Sequence, residues 1–204
     1  MRLIGMPDSP YVRRVAISLK LLGLPFEHTQ LSVFRDFEAF AAINPVVKAP
    51  TLVTDDGVTL LDSTLILEYA ERLAEPSRSL VPNDPRQHAR ALRLIGLALA
   101  ACEKAVQIEY ETHLRPADKL HRPWLERVER QLLAAYAALE EDVEQASGWL
   151  SGERPLQSDV TVAVAWRFTQ HLLPEVVRSA SFPRLAAFSA RAESLPEFVS
   201  TPLE

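Results

Sequence analysis

The chain has 204 residues, 48% of them hydrophobic and 24% charged, with a formal net charge of −5. That balance supplies a real apolar core and excludes a disordered chain. The acidic excess argues against a nucleic-acid or anionic-membrane surface, and the longest apolar run, Leu94 to Cys102, is too short to span a bilayer.

The single cysteine, Cys102, has no internal partner for a disulfide, which fits a reducing compartment and a role in helix packing. Pro7, Asp8 and Pro10 interrupt the segment where a signal peptide needs an unbroken apolar run, so a cytoplasmic protein is expected.

In chain order, "RLIG" at 2–5 reads as a short strand. "PYVRRVAISLKLLG" follows at helical spacing, with Val12, Val15, Ala16, Leu19 and Leu22 as its apolar stripe. Pro10 suits the first helical position and Gly23 the left-handed residue after the last turn. "FEHTQL" alternates like a half-buried strand, and "RDFEAFAAINP" reads as a short helix stopped by Asn44-Pro45. In "PTLVTDDGVTLL" two apolar runs flank Asp55-Asp56-Gly57, a strong hairpin signal. "DSTLILEYAERLA" closes the unit as a helix, with Leu65, Tyr69 and Leu73 along one face.

The order is therefore βαβαββα, with a parallel pair from the first βαβ and an antiparallel edge from the hairpin. In "EPSRSLVPNDPRQ" three prolines break every period, which marks a linker at 76–86 between a domain at 1–75 and one at 87–204. Beyond it the pattern is helical throughout. A long helix is predicted from "RQHARALRLIG" to "YETHL". A second carries Trp124, Val128, Leu132, Tyr136, Leu139 and Val143 as a buried stripe, and "SDVTVAVAWRFTQHLL" and "FPRLAAFSARAESL" supply two more. The fold class is α/β plus all-α.

Read alone, Ser9 before Pro10 is a helix N-cap, Pro50 marks a bend before a strand, and Asp62-Ser63 is another cap. Taken together and in order, "SPYVRRV", "NPVVKAPTL", "LDSTLILEYAERL" and "SDVTVAVAWRF" resemble the glutathione S-transferase superfamily over essentially the whole chain. The resemblance implies a thioredoxin-like N-terminal domain, an all-helical C-terminal domain, glutathione as co-substrate, no metal, and a homodimer.

It also implies residue roles. Ser9 would donate its hydroxyl to the glutathione sulfur, stabilising the thiolate that acts as nucleophile. Ala49, before a cis Pro50, would offer backbone to the cysteinyl part. Lys48 would approach the glycyl carboxylate. Asp62 and Ser63 would hold the γ-glutamyl group at a helix N-terminus, with Arg35 as a further carboxylate partner. Asp62 stands where the family more often has glutamate. Tyr11, Phe34, Tyr110 and Trp166 would wall a second-substrate pocket between the domains.

Asp159 matches the helix-start motif of the helical domain, but the third residue upstream is Leu156 rather than a hydroxyl residue, leaving Ser158 as a substitute cap. Serine at position 9, where thiol-transferring members carry cysteine, argues against disulfide exchange. The expected activity is conjugation of glutathione to small hydrophobic electrophiles. The alternatives are a non-catalytic binding protein on the same scaffold and a glutathione-dependent isomerase, although "DSPYVRR" lacks the denser serine-cysteine run of the isomerases. The five histidines (28, 88, 113, 121, 171) fall on separate segments, without metal-ligand spacing.

Overall fold

A computed structural model describes residues 1–146 and 148–203; Ser147 and Glu204, inside the expected helical domain, lie outside the described residues. The chain forms two compact units, the first from Met1–Val81 and Ser194–Glu204, the second from Pro82–Glu193.

The first unit runs β1 (Arg2–Ile4), α1 (Pro10–Leu22), β2 (Glu27–Thr29), α2 (Phe37–Ala41), β3 (Thr51–Val53), β4 (Thr59–Leu61) and α3 (Ser63–Leu73). This is the βαβαββα order of the sequence pattern. The sheet order is β2-β1-β3-β4, with β1 parallel to β2 and antiparallel to β3, and the β3–β4 hairpin turning at Asp55–Gly57.

The apolar stripe of α1 is buried as its spacing requires: Val12, Val15, Ala16, Leu19 and Leu22 pack with Leu3, Leu52, Ile66 and Leu67. Full burial of such a side chain stabilises by about 1.5–3 kcal/mol. Gly23 closes α1 at φ 72°, its N–H and that of Leu24 bonding the carbonyls of Lys20 and Leu19. A Cβ at this position would also collide with the Arg78 side chain at 2.4 Å.

On α3 the structure differs from the expected face. Ile66, Leu67 and Ala70 form the buried row, whereas Leu65 and Leu73 are exposed and Tyr69 is half-buried. Both rows satisfy helical spacing, and the sheet selects the row with the smaller Ala70.

Residues 194–203, which the sequence pattern groups with the helical segment, pack in the first unit. They include the short helix Pro196–Val199. Arg13 Nε donates to the Thr201 carbonyl at 2.8 Å, and Lys20 Nζ donates to the Ser200 carbonyl and to the hydroxyls of Ser200 and Thr201 at 2.7–2.9 Å. Burial pulls the Lys20 ammonium below its ordinary pKa, against the raising influence of Glu197.

The second unit holds α4 (Pro85–Glu109), a π-turn at Tyr110–Leu114, α5 (Arg122–Glu144), α6 (Gln157–Leu172) and α7 (Pro183–Glu193); α8 is Pro196–Val199, in the first unit. Small residues on α4 (Ala91, Ala98, Ala101, Cys102, Ala105) make its buried face. Helix α6 is buried almost all round, as a central helix must be. Val128, Leu132, Tyr136, Leu139 and Val143 bury the α5 stripe as expected, but Trp124, in the first turn and beyond the reach of the core, stays 43% exposed.

Asp159 is buried at the start of α6, accepting from Leu150 N at 2.6 Å and Leu156 N at 3.0 Å. Leu156 offers no acceptor in return. Ser158, expected as a substitute cap, instead pairs with Ser151 at 3.0 Å. Burial pushes the Asp159 carboxyl up despite these bonds.

Candidate functional site

The sheet register decides which loops meet. Ile4, Thr51 and Leu61 lie side by side across β1, β3 and β4. The residues that follow Ile4, precede Thr51 and follow Leu61 therefore leave the sheet at one end. This brings Gly5–Ser9, Ala49–Pro50 and Asp62–Ser63 to the same rim, although the first lies about 40 residues or more before the other two in sequence. Gly5 makes the close approach possible: its φ is 138°, and a Cβ there would meet Val12 Cγ2 at 2.6 Å and Ala49 Cβ at 3.1 Å.

Ser9 is the N-cap of α1, with Pro10 as the first helical residue. Its Oγ accepts from Val12 N at 3.4 Å, a long bond. Ser9 is half-buried, and among the described residues its own hydroxyl proton goes to no protein acceptor. A hydroxyl with a spare proton therefore stands at the positive end of a 13-residue helix.

The Ala49–Pro50 peptide is cis. The loop leading to it is pinned by buried Asn44, which donates to Thr51 Oγ1 at 2.9 Å and accepts from Val46 N at 3.0 Å. Val47 within that loop has φ 50°, a conformation that a β-branched residue adopts only under constraint. Lys48 is exposed; its carbonyl accepts from Thr51 Oγ1 at 2.7 Å.

Asp62 caps α3, its carboxylate accepting from Thr64 N at 2.8 Å, with the backbone at φ 72°. Ser63 is the first residue of α3 and is buried. It does not cap the helix. Its Oγ accepts from Arg14 Nη1 at 3.0 Å, and the same nitrogen reaches Thr64 Oγ1 at 3.3 Å.

Arg14 is the group that sequence reading missed. It is 2% exposed although it sits on α1 beside Arg13, in a pair that resembles a solvated face. The signal lay in the pair itself, two cations set inside a run that is otherwise apolar.

Arg35 is exposed and brings Nη2 to 4.0 Å from Met6 Sδ, next to the β1–α1 turn. Tyr11 is half-buried and Phe34 is exposed. In the second unit Tyr110 is exposed at the start of the π-turn and lines an open cleft of about 490 Å3 with Leu114, Arg115 and Trp124. Trp166 does not line it. It is 4% exposed and stacks edge-on against Tyr136 at 5.3 Å and Phe182 at 6.0 Å, so the expected wall residue is a core residue. Tyr136 Oη, 2.9 Å from the Ala165 carbonyl and 2.6 Å from Thr169 Oγ1, is pushed well above its ordinary pKa, chiefly by burial.

Among the described residues no group of three or more His, Cys, Asp or Glu side chains could hold a metal ion, and no helix is long and apolar enough to cross a membrane.

The glutathione S-transferase N-terminal domain profile matches residues 3–78, and the C-terminal domain profile matches residues 122–191. The chain resembles the maleylacetoacetate isomerase of Pseudomonas aeruginosa, with 28% identity over 91% of this chain and 87% of that one. It is 35% identical to the uncharacterized GST-like protein YibF of Escherichia coli over 48% of each chain. Like YibF, most of the first curated relatives it matches are spanned over about half their length or less. Among solved structures, a glutathione S-transferase of Methylobacterium radiotolerans in complex with glutathione sulfonate superposes with a TM-score of 0.90 at 29% identity, covering 98% of this chain and 93% of that one. With both halves matched and the fold shared along its length, the chain belongs to the glutathione S-transferase superfamily. Its N-terminal unit is thioredoxin-like and its second unit is the helical domain of that fold.

Proposed function

We propose that this chain binds glutathione at the rim of the sheet and transfers its thiolate to small hydrophobic electrophiles. The observation that carries the reading is the Ser9 hydroxyl, half-buried at the N-terminus of α1, whose proton goes to no protein acceptor among the described residues. A free thiol has a pKa of about 8.5, and a hydroxyl donor together with the helix dipole lowers it toward neutrality. Binding supplies proximity to the electrophile, and the donor stabilises the sulfur anion.

In this reading Ala49 offers backbone to the cysteinyl part, Lys48 faces the glycyl carboxylate, and Asp62 and Ser63 take the γ-glutamyl end with Arg35 as an outer partner. Glutathione is a co-substrate, and solved relatives with glutathione derivatives bound support that role. The electrophile rests against apolar and aromatic side chains, of which Tyr11 and Phe34 in the first unit are accessible. A second copy of the chain covers the exposed Leu65 and Leu73 of α3 to give a homodimer, and the protein works in the cytoplasm.

The likeness to maleylacetoacetate isomerase along 91% of the chain favours a second reading, glutathione-dependent cis–trans isomerisation. Titration of glutathione into the protein, followed by conjugation assays with an aryl halide, tests the first reading. Thiolate absorbance of bound glutathione below pH 8 and aryl-halide turnover are the expected results. Binding without conjugation, together with isomerisation of a maleyl substrate, selects the second. Absence of glutathione binding removes both and leaves the non-catalytic scaffold.

A further inference from the structure

We infer that His28, on the edge strand β2, is a positioning residue for Ser9: by holding the Gly5 carbonyl it sets the turn that aims the Ser9 hydroxyl at the glutathione thiol. This role presupposes the glutathione reading above and extends it to a side chain outside the three rim segments.

The turn from β1 to α1 begins where the β1–β2 ladder runs out. Gly5 N donates to the Thr29 carbonyl at 3.1 Å, just past the last paired residues, Ile4 and Thr29. A parallel ladder would continue with Leu31 N donating to the Gly5 carbonyl, as Glu27 N donates to the Met1 carbonyl at 3.0 Å. But β2 ends at Thr29, and among the described residues no backbone N–H takes that place. His28 Nε2 stands there instead, 2.9 Å from the Gly5 carbonyl. A carbonyl only accepts, so Nε2 carries the proton and donates it.

Two features give this bond leverage on Ser9. First, Gly5 is buried and wedged, since a Cβ there would meet Val12 Cγ2 at 2.6 Å and Ala49 Cβ at 3.1 Å. Helix α1, the cis-proline loop and β2 converge on this one residue, and the turn from it closes with Ser9 N donating to the Met6 carbonyl at 3.2 Å. Ser9 has little else to orient it, because its cap bond to Val12 N is long, at 3.4 Å. Second, core packing does not lock the His28 ring. The residue is half-buried and borders an open cavity of about 430 Å3 with Pro7, Lys20, Phe26 and Pro202. The Phe26 ring lies tilted, with its centroid 6.4 Å away. The hydrogen bond is therefore what joins the imidazole to the turn. Without it the Gly5 carbonyl loses its donor, a cost that the turn relieves by shifting. Pro7 belongs to that turn and lines the same cavity, so there is room for the shift.

A hydroxyl stabilises a thiolate only while its O–H points at the sulfur. Turning Ser9 aside returns the thiol toward its free acidity and leaves the other proposed glutathione contacts in place.

The test uses wild type, His28→Leu, His28→Gln and His28→Asn. Thiolate absorbance of bound glutathione and aryl-halide turnover are each followed against pH. Isothermal titration gives the affinity for S-methylglutathione, which has no thiol to ionise. His28→Leu raises the pKa of the bound thiol by about one unit, which is about tenfold less thiolate below that pKa. Turnover falls by the same factor at low pH, and the deficit closes as pH rises. S-methylglutathione binds as it does to wild type. His28→Gln, whose amide nitrogen reaches about as far as Nε2, recovers most of the shift; His28→Asn, one methylene shorter, does not. An unchanged thiol pKa in His28→Leu overturns the inference. So does a matching loss of S-methylglutathione affinity with a lowered melting temperature, which marks His28 as a strand-end tie only. If His28→Leu does not fold, the Gln and Asn variants decide, and equal thiol pKa values in the two overturn the proposal. A wild-type protein that does not bind glutathione, or binds it without lowering its thiol pKa, fails the earlier reading instead, and this one falls with it.

Discussion

The N-termini of α1 and α6 are built from the same capping chemistry and end in opposite states. At α6, Asp159 is sealed, 1% exposed, with its two oxygens taken by Leu150 N at 2.6 Å and Leu156 N at 3.0 Å. At α1, Ser9 is half-buried, holds Val12 N at 3.4 Å, and keeps its proton. The α6 cap spends its hydrogen-bonding capacity inside the protein, whereas in the reading proposed above the Ser9 cap leaves some of it facing out.

Substitutions sharpen that contrast. The largest expected effect is at α1: Ser9→Ala lowers aryl-halide turnover about 10²- to 10³-fold, the cost of one lost anion donor, while unfolding free energy falls by only about 1 kcal/mol. Parallel kinetics and urea denaturation check it, and equal proportional loss of both returns Ser9 to a simple cap. At α6 the order reverses. Asp159→Ala strands two buried N–H groups and destabilises by about 2–4 kcal/mol, with glutathione affinity in the surviving folded fraction unchanged by titration.

The same carboxylate carries a pH signature. Burial raises the Asp159 pKa from its ordinary 3.8, so the folded state binds the proton more tightly than the unfolded state. Its contribution to stability is full below 3.8 and is lost as pH rises through the raised value. Denaturation of wild type and Asp159→Asn across that window should show wild type losing ground to the variant as pH increases. A flat difference would mean that the hydrogen bonds cancel the burial. The smallest effect is at Lys48, exposed at the rim: Lys48→Ala raises KM for glutathione about two- to fivefold, as a solvated contact should.

Much of the fold was legible because it rests on local signals. The Gly23 stop, the Asp-Gly hairpin and the α1 stripe each depend on neighbours within a few residues. The misreadings share a different origin. On α3, the rows through Leu65 and through Ile66 are equally good by spacing, and only the sheet decides between them. Trp124 and Trp166 each sit on an apolar stretch of helix, yet Trp124, in the first turn of α5, lies beyond the core and Trp166, deep in α6, lies inside it. Of the rim, the segments around Ser9, Pro50 and Ser63 were visible as motifs. Arg14 was not, because the hydroxyl it meets lies 49 residues away in sequence. The positive φ of Val47 and Asp62 is likewise imposed by the loops they join and not by their residue type.

Residues 194–204 have a consequence for how the molecule is made. The chain leaves the first unit at Val81 and returns to it at Ser194, so the helical unit is, in the order of synthesis, an insertion. Domains made first ordinarily fold first as they emerge. Here the segment that satisfies Arg13 and Lys20 on α1 arrives only after more than a hundred further residues have been translated. The helix that presents Ser9 thus waits on nearly the whole polypeptide, and a ribosome stalled in α7 would display a sheet whose first helix still lacks its strap.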